Sequence, residues 1–312
     1  MPETVHTDGP LTNFVLSFPR QQGVARLVAP ELPVKKQSDT YDIVDAERTK
    51  QRIHSAVRAK GTPARLVDWL TSSDTFYCKD HALDHIIPDE DVDNADESLV
   101  EEVDAQECAV GLRDMLDLEY ENDVATVLHD TTTFTLTAAA GYVFTNASSD
   151  PIAYMRTASQ AIKDASGVWP NVAIIPEEII RALQDHADIR ARVNYTNAEQ
   201  VNAQFLANLF RVQEILVPDI VENTAAEGQT AALADIWGTT ITLARIDRRP
   251  MKRTYTAIRT FVWDRPKRAI KGWRVTQEYL SRNEGTRVRV GWHRDIKAVG
   301  ANLVYNLTGC LS

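Results

Sequence analysis

Residues 150–237 read DPIAYMRTASQAIKDASGVWPNVAIIPEEIIRALQDHADIRARVNYTNAEQVNAQFLANLFRVQEILVPDIVENTAAEGQTAALADIW. Asp150 is placed to cap a helix that opens on Pro151, whose missing N–H and fixed φ suit a first helical position. Gly167 ends that helix and Pro170 lies just beyond it. Val172-Ala173-Ile174-Ile175 predicts a short apolar strand. Pro176-Glu177-Glu178 starts a second helix that ends near Asp185-His186. A third helix, about 197–210, leads into the strand Glu214-Ile215-Leu216-Val217. Helix, strand, helix, helix, strand describes a compact α/β unit. The stretch holds no glycine-rich phosphate loop, no nucleophile elbow and no cluster of catalytic residues.

Outward from this unit, the chain has 312 residues, 44% hydrophobic and 25% charged, which is ordinary for a folded protein with one large core or two smaller ones. A net charge of −10 argues against a free nucleic-acid-binding protein, which carries a basic excess. No apolar run approaches the roughly 20 residues that span a bilayer, so no membrane partner is expected. MPETVHTDGPLTNFVLSF has no basic start followed by an apolar core, so no signal peptide is expected. Cys78, Cys108 and Cys310 are far apart and odd in number, which suits buried thiols in a reducing compartment and synthesis in the cytosol. Charge is uneven. Asp84 to Asp123 holds 16 Asp/Glu against one Arg, and Arg245 to Lys297 holds 16 Lys/Arg against 5 Asp/Glu. Both surfaces can face solvent, or a repeating assembly can set one against the other.

Residues 1–33 read as an extended arm, because Pro2, Pro10, Pro19, Pro30 and Pro33 interrupt regular structure, while Phe14, Val15, Leu16 and Phe18 give it something to bury. Asp39–Val44 and Thr71–Cys78 have strand character and frame a basic connection with Arg48, Lys50, Arg52, His54, Arg58, Lys60 and Arg65. A connection of this length projects outward or is functional. A long helix is expected over about 95–129, roughly 50 Å in length, with Leu99, Val103, Val110, Met115, Leu118 and Val124 as its apolar stripe. The remainder reads as β: 131–137 paired with 141–145, then 253–263, 272–280, 286–292 and 298–307. Strict alternation in Thr286-Arg-Val-Arg-Val-Gly-Trp292 buries one face.

In ordered succession, VKKQSDTYDIVDAE (34–47), LTSSDTFYCKDHALDHIIPDED (70–91), DPIAYMRTASQAI, GVWPNVAIIPEEIIRALQDHADI, LANLF-x-V-x-EILV, NTAAEGQTAALADIWG and GTRVRVGWHRDIKAVGANLVYNL (285–307) resemble the major capsid proteins of tailed bacteriophages, over roughly residues 30–310. The resemblance implies an α+β capsid fold of the kind named after phage Hong Kong 97. It implies an N-terminal arm over 1–38 that lies on a neighbouring subunit, and an extension loop over 39–82. It further implies a peripheral domain over 83–149, built on a spine helix and completed by 251–298, and an axial domain over 150–250 completed by 299–312. The implied function is mechanical: hexamers and pentamers of the chain tile an icosahedral shell around double-stranded DNA held by non-specific contact. No reaction, catalytic residue, metal or cofactor is expected. Scaffolding, decoration and portal proteins are the further partners it implies. Phe14, Phe18, Arg52, Arg58, Lys60 and Arg65 are the expected interface residues. A bacterial nanocompartment or gene-transfer particle shares the fold and remains an alternative.

Other residues carry rival readings. Cys78, His81 and His85 have C-x2-H-x3-H spacing and define a metal-dependent enzyme as a second alternative, although no fourth ligand is in view. Asp89-Glu-Asp-Val-Asp-Asn-Ala-Asp96 has the look of a calcium loop, but Asn94 stands where glycine is needed and Val100 where a bidentate Glu is needed. Asp104, Glu107 and Asp114, with His129 nearby, read as paired carboxylates for acid–base work, but on the polar side of an acidic helix with no basic partner or pocket in view. Trp263-Asp-Arg-Pro-Lys-Arg-Ala-Ile-Lys-Gly-Trp273 mixes basic and aromatic residues as nucleic-acid surfaces do, and equally suits a loop at a subunit contact.

Overall fold

The computed structural model describes residues 9–17, 23–43, 56–64, 72–94, 100–138, 143–146, 148–196, 202–226, 228–249, 254–265 and 272–311. Its helices are α1 (Gly9–Ser17), α2 (Ala25–Val28), α3 (Asp89–Asp93), α4 (Val100–His129), α5 (Pro151–Ser166), α6 (Glu177–Asp185), α7 (Ala187–Thr196) and α8 (Ala203–Phe210). The early strands are β1 (Glu31–Val34), β2 (Ser38–Ile43), β3 (Ser72–Tyr77), β4 (Lys79–Pro88), β5 (Thr137–Ala138), β6 (Val172–Ile174) and β7 (Glu214–Leu216). The later ones are β8 (Val221–Asn223), β9 (Leu233–Asp235), β10 (Ile241–Ala244), β11 (Ile258–Trp263), β12 (Trp273–Leu280), β13 (Gly285–Ala298) and β14 (Val304–Leu307).

β13 organises the first sheet. β4 runs antiparallel along one of its edges, β12 and then β11 along the other, and β1 adds in parallel outside β11. Val288, Val290 and Trp292 of β13 alternate onto the face that packs against Leu116, Tyr120, Val124 and Leu128 of α4, forming one apolar core. The second sheet, in order β5-β14-β10-β6-β7, is mixed. Its core joins Leu243 of β10 to Met155 and Ile162 of α5, Ile179 and Leu183 of α6, and Leu206 of α8. β10 and β14 serve both cores, since Ala244 and Val304 point into the first. Two ribbons, β2–β3 and β8–β9, stand apart from these sheets.

Local signals hold in the 150–217 unit. Asp150 accepts from the Ala153 N–H at 2.9 Å, and Gly167 ends α5 with φ 73°. α6 is followed at once by α7, which the sequence reading left as a connection. The third helix, α8, opens at Asn202, whose side chain accepts from the Phe205 N–H at 2.8 Å; residues 197–201 lie outside those described.

Four expectations need correction. The 131–137 segment does not pair with 143–145, the described part of its expected partner strand. Asp130 accepts from the Thr132 N–H and hydroxyl and from the Thr133 hydroxyl, which closes a turn, and β5 pairs with β14 instead. These bonds hold the Asp130 carboxyl at about 2. Residues 301–303 form a 3-10 turn ahead of β14, so 298–307 is not one strand, and β13 extends through Ala298. The buried stripe of α4 runs through Ala105, Ala109, Arg113, Leu116, Tyr120, Val124 and Leu128, whereas Met115 is 62% exposed. Leu99 lies outside the described residues, as does the side chain of Val103.

The last correction concerns the N-terminus. α1 is a helix despite Pro10, which falls in its first turn where a missing N–H costs nothing. Leu11 and Val15, one turn apart, are buried in the subunit's own first core, with Phe14 half-buried beside them. The Thr12 hydroxyl accepts from the Val275 N–H at 3.2 Å, and Arg113 donates to the Val15 carbonyl. Phe18 lies outside the described residues. Leu11, Val15, Val24, Ala25 and Val28 therefore belong to the chain's own core, whereas the sequence reading laid the arm on a neighbouring subunit. Leu11→Ala should lower subunit stability by about 2 kcal/mol or more through the cavity it leaves. Deleting residues 2–30 should remove cooperative unfolding from the unassembled subunit, read by circular dichroism on heating.

Candidate functional site

The Cys78, His81 and His85 spacing does not converge on one point. Residues 79–88 are a strand, so His81 and His85 share a face while Cys78 lies off it. The Cys78 thiol is fully buried and donates to the Phe261 carbonyl at 3.5 Å. Burial pushes it up to about 12, so it stays protonated at neutral pH and offers no thiolate. His85 is exposed. His81 turns to α4, with Nδ1 2.9 Å from Glu119 Oε1, and Asp123 completes the one His-carboxylate group close enough to share an ion among the described residues. Arg294, 2% exposed, already sits there, with Nη1 2.7 Å from Asp123 and Nη2 3.5 Å from Glu119. Its guanidinium supplies the positive charge that a metal would bring.

The other rival readings disperse as well. Asp114 and His129 are about 22 Å apart along α4. His129 stands edge-on to Trp237 with ring centroids 5.8 Å apart, and burial pushes its pKa down. Glu107 is exposed, and the Asp104 side chain lies outside the described residues. Asp89–Asp93 is helix α3 and not a chelating loop, and Asp89 accepts from the Tyr279 hydroxyl at 2.7 Å. Of the Trp263–Trp273 connection, 266–271 lie outside the described residues, and Trp273 is buried, stacked on Trp292 at 4.8 Å.

The acidic and basic segments meet each other within the subunit, an outcome the sequence reading did not consider. Adjacent strands do it. Asp84 of β4 stands opposite Arg289 of β13 and accepts two hydrogen bonds from it, at 2.5 and 2.6 Å. These bonds hold the Asp84 carboxyl below the usual range. Arg287 of β13 lies 3.8 Å from the same carboxylate, and between strand and helix Arg294 pairs with Asp123 of α4 at 2.7 Å.

Sequence reading missed Glu121, which is 3% exposed. Its carboxylate accepts from the Val24 N–H (2.9 Å), the Ala25 N–H (3.0 Å) and the Trp237 indole N–H (2.9 Å). A Cβ on Gly23 would lie 2.3 Å from Glu121 Oε2, so only glycine lets the chain approach. The signal was available: Glu121 sits one turn before Val124 and Ala125 and two before Leu128, an acid in an apolar stripe.

The connection of the β2–β3 ribbon carries two of the predicted contact residues, Arg58 and Lys60. Ser38–Ile43 pair antiparallel with Ser72–Tyr77 in register. Arg58 and Lys60 lie exposed in the connection, beside Val57 at 92% exposure, and Gly61 turns the chain with φ 82°. Arg52 and Arg65 lie outside the described residues.

No protein-family model matches the chain. It is 28% identical over 110 residues to the major capsid protein of Burkholderia phage BcepMu, a match spanning 35% of this chain and 34% of that protein. It is 25% identical over 233 residues to the major capsid protein of Pseudomonas phage JBD67, spanning 74% of each. The fold matches a phage-related protein from Bordetella bronchiseptica RB50 with a TM-score of 0.74 at 18% identity, over 98% of both chains. It also matches the capsid of cyanophage P-SCSP1u, TM-score 0.57 at 11% identity over 95% of this chain and 90% of that one. A virus-like particle from Pyrococcus furiosus shares the fold at 0.55 and 13% identity over 95% of each. The chain is thus a relative of phage major capsid proteins, with their mixed helix-and-sheet fold.

Glu121 gives the unassembled subunit a distinct pH dependence. Burial raises its pKa, and its three hydrogen bonds only partly offset this. A carboxyl raised in the folded state contributes most below its unfolded value, roughly 4.3, and loses that contribution as pH rises through the folded value. Glu121→Gln keeps an acceptor without the charge. The melting temperature of wild type relative to Glu121→Gln should therefore fall between pH 4 and pH 8. Glu121→Ala, which strands three buried donors, should cost about 3 kcal/mol or more at any pH.

Proposed function

We propose that this relative of phage major capsid proteins is itself the major capsid protein of a tailed bacteriophage, self-assembling into the icosahedral shell around a double-stranded DNA genome. The observation that carries this is the match to the JBD67 major capsid protein across 74% of both chains. The two apolar cores support a Hong Kong 97-like division. The first, on α4 and β13, corresponds to a peripheral domain with its spine helix, and the second, on α5, α6, α8 and β10, to an axial domain. β2–β3 and its connection take the part of an extension loop over a neighbour. The role is structural: hexamers and pentamers form by self-contact, and scaffolding, decoration and portal proteins are the further partners. DNA is held by non-specific contact. The dispersal of Cys78, His81 and His85 removes support from a metal-dependent enzyme.

Electron microscopy of the expressed protein should reveal closed shells, and nucleic-acid analysis of virions should find DNA within. Particles that hold only protein would favour a nanocompartment. Arg58 and Lys60 are free to meet an acidic surface of the next copy, such as exposed Glu90, Asp91 and Asp93. Reversing Arg58 and Lys60, together with Arg52, to Glu should leave the subunit folded by circular dichroism but cut shell yield at low salt, since exposed charges set encounter and register. Normal shells at both low and high salt would overturn that role.

A further inference from the structure

The β8–β9 ribbon and the cleft at the foot of β2–β3 have matching chemistry. The ribbon pairs Val221 with Asp235 and Asn223 with Leu233, so strand alternation puts these four side chains on one face. Glu222, on the other face, accepts from the Asn122 amide of α4 at 2.8 Å, which turns the first face outward. There Leu233 is 69% and Val221 48% exposed, neighbours on the diagonal of the ribbon with Asp235 beside them. A two-stranded ribbon this short is marginal in water without something to cover it. Residues 221–235 carry three acids and no base.

The cleft offers an aromatic floor and an exposed lysine, Lys35. It measures about 620 Å³ and opens between β1, β2 and β11. Its floor is aromatic: Phe76 stacks on Phe261 at 4.4 Å, and Tyr41 tilts against Phe261 at 5.1 Å. Lys35, Lys36, Asp39 and Asp42 line it, and Lys35 and Lys36 stand exposed on its rim. Lys36 has only a 3.5 Å surface pair with Asp39, which contributes little.

We infer that the cleft of one copy receives the β8–β9 ribbon of the next, with Leu233 and Val221 over the aromatic floor and Asp235 against Lys35. The inference rests on the shell-subunit reading and names the partner of that assembly at one contact. Knob and hole are different surfaces of the same chain, so the contact is head-to-tail, the arrangement that closes into rings when the rotation fits. Apolar burial drives it and the acid–lysine pairing sets its register. Two other exposed apolar residues fit worse. Val57 would bring Arg58 and Lys60 toward Lys35, and Trp169 carries Lys163 over its ring at 4.6 Å.

The test is a Val34→Cys, Leu233→Cys double variant, assembled and then oxidised. A ladder of linked subunits on a non-reducing gel, absent from each single variant, is expected. Particles that form yet stay monomeric on that gel overturn the docking and leave the shell reading intact. Wild-type protein that forms no particles overturns the shell reading, and the docking with it. Should the cysteines disturb folding, a charge swap serves. Lys35→Asp is expected to cut particle yield about tenfold and Asp235→Lys to restore it, with circular dichroism of each variant unchanged. An unrestored yield from folded subunits overturns the pairing.

Discussion

The Glu121 carboxylate fixes where the N-terminal segment, the middle of α4 and the chain before β10 meet. It takes N–H groups from Val24, Ala25 and Trp237, which lie about 100 residues away on either side in sequence. The preceding residue continues the work: the Tyr120 hydroxyl lies 2.6 Å from Thr260 Oγ1 and donates to the Ala29 carbonyl at 3.0 Å. Two consecutive residues of one helix thus hold α2, β11 and Trp237 in register. An apolar residue at 121 would fill the space and strand three donors. A carboxylate has enough lone pairs to satisfy them at one point. Its desolvation is the cost, visible as a raised pKa.

The arginines around this point follow from the same constraint. Arg294 lies 5.0 Å from the Tyr120 ring and 5.4 Å from that of Trp292, and Arg26 lies 4.9 Å from Trp292. Each also reaches an acid on α4: Arg294 to Asp123, and Arg26 to Asp117 at 2.6 Å. Flat guanidinium groups stack on rings and pair with carboxylates at once, which Lys cannot do as well. Asp117, Glu119 and Asp123 of α4 are thereby paired within the chain. Among the described residues, exposed charges without an ion pair include Arg58 and Lys60 in the β2–β3 connection, Glu90, Asp91 and Asp93 on α3, and Asp235 on the β8–β9 ribbon.

How much of this the sequence disclosed depends on how local each signal was. Asp150, Pro151, Gly167 and Asn202 act on their own helix ends, so the α5 and α8 boundaries on that side were readable or nearly so. The length of α4 was readable but its phase was not, because Arg113 and Glu121 occupy buried positions and Met115 an exposed one. α1 hid behind Pro10, although a proline in a first turn is no obstacle. Thr131–Thr133 have strand propensity, yet three hydrogen bonds to Asp130 outweigh it. The Cys78–His85 spacing misled because ligand spacing presumes a loop or helix, whereas on a strand it sends Cys78 and His81 to opposite sides.

The two ribbons give the last step. A sheet strand with a neighbour on each side satisfies its backbone within the chain, as β13 does between β4 and its partners β12 and β11. β2–β3 and β8–β9 lack that support. β2–β3 is anchored at its base by Tyr41 and Phe76 on Phe261, and β8–β9 by Glu222 on Asn122. Beyond those anchors, Val57, Leu233 and Val221 remain uncovered. An isolated subunit gains nothing from ordering them, because conformational entropy opposes it and no apolar surface is buried in return. Such segments become favourable only when another surface covers them. The division is therefore physical: α4 and β13 bury their apolar faces against each other within the chain, whereas the ribbons expose apolar side chains that only a covering surface would bury.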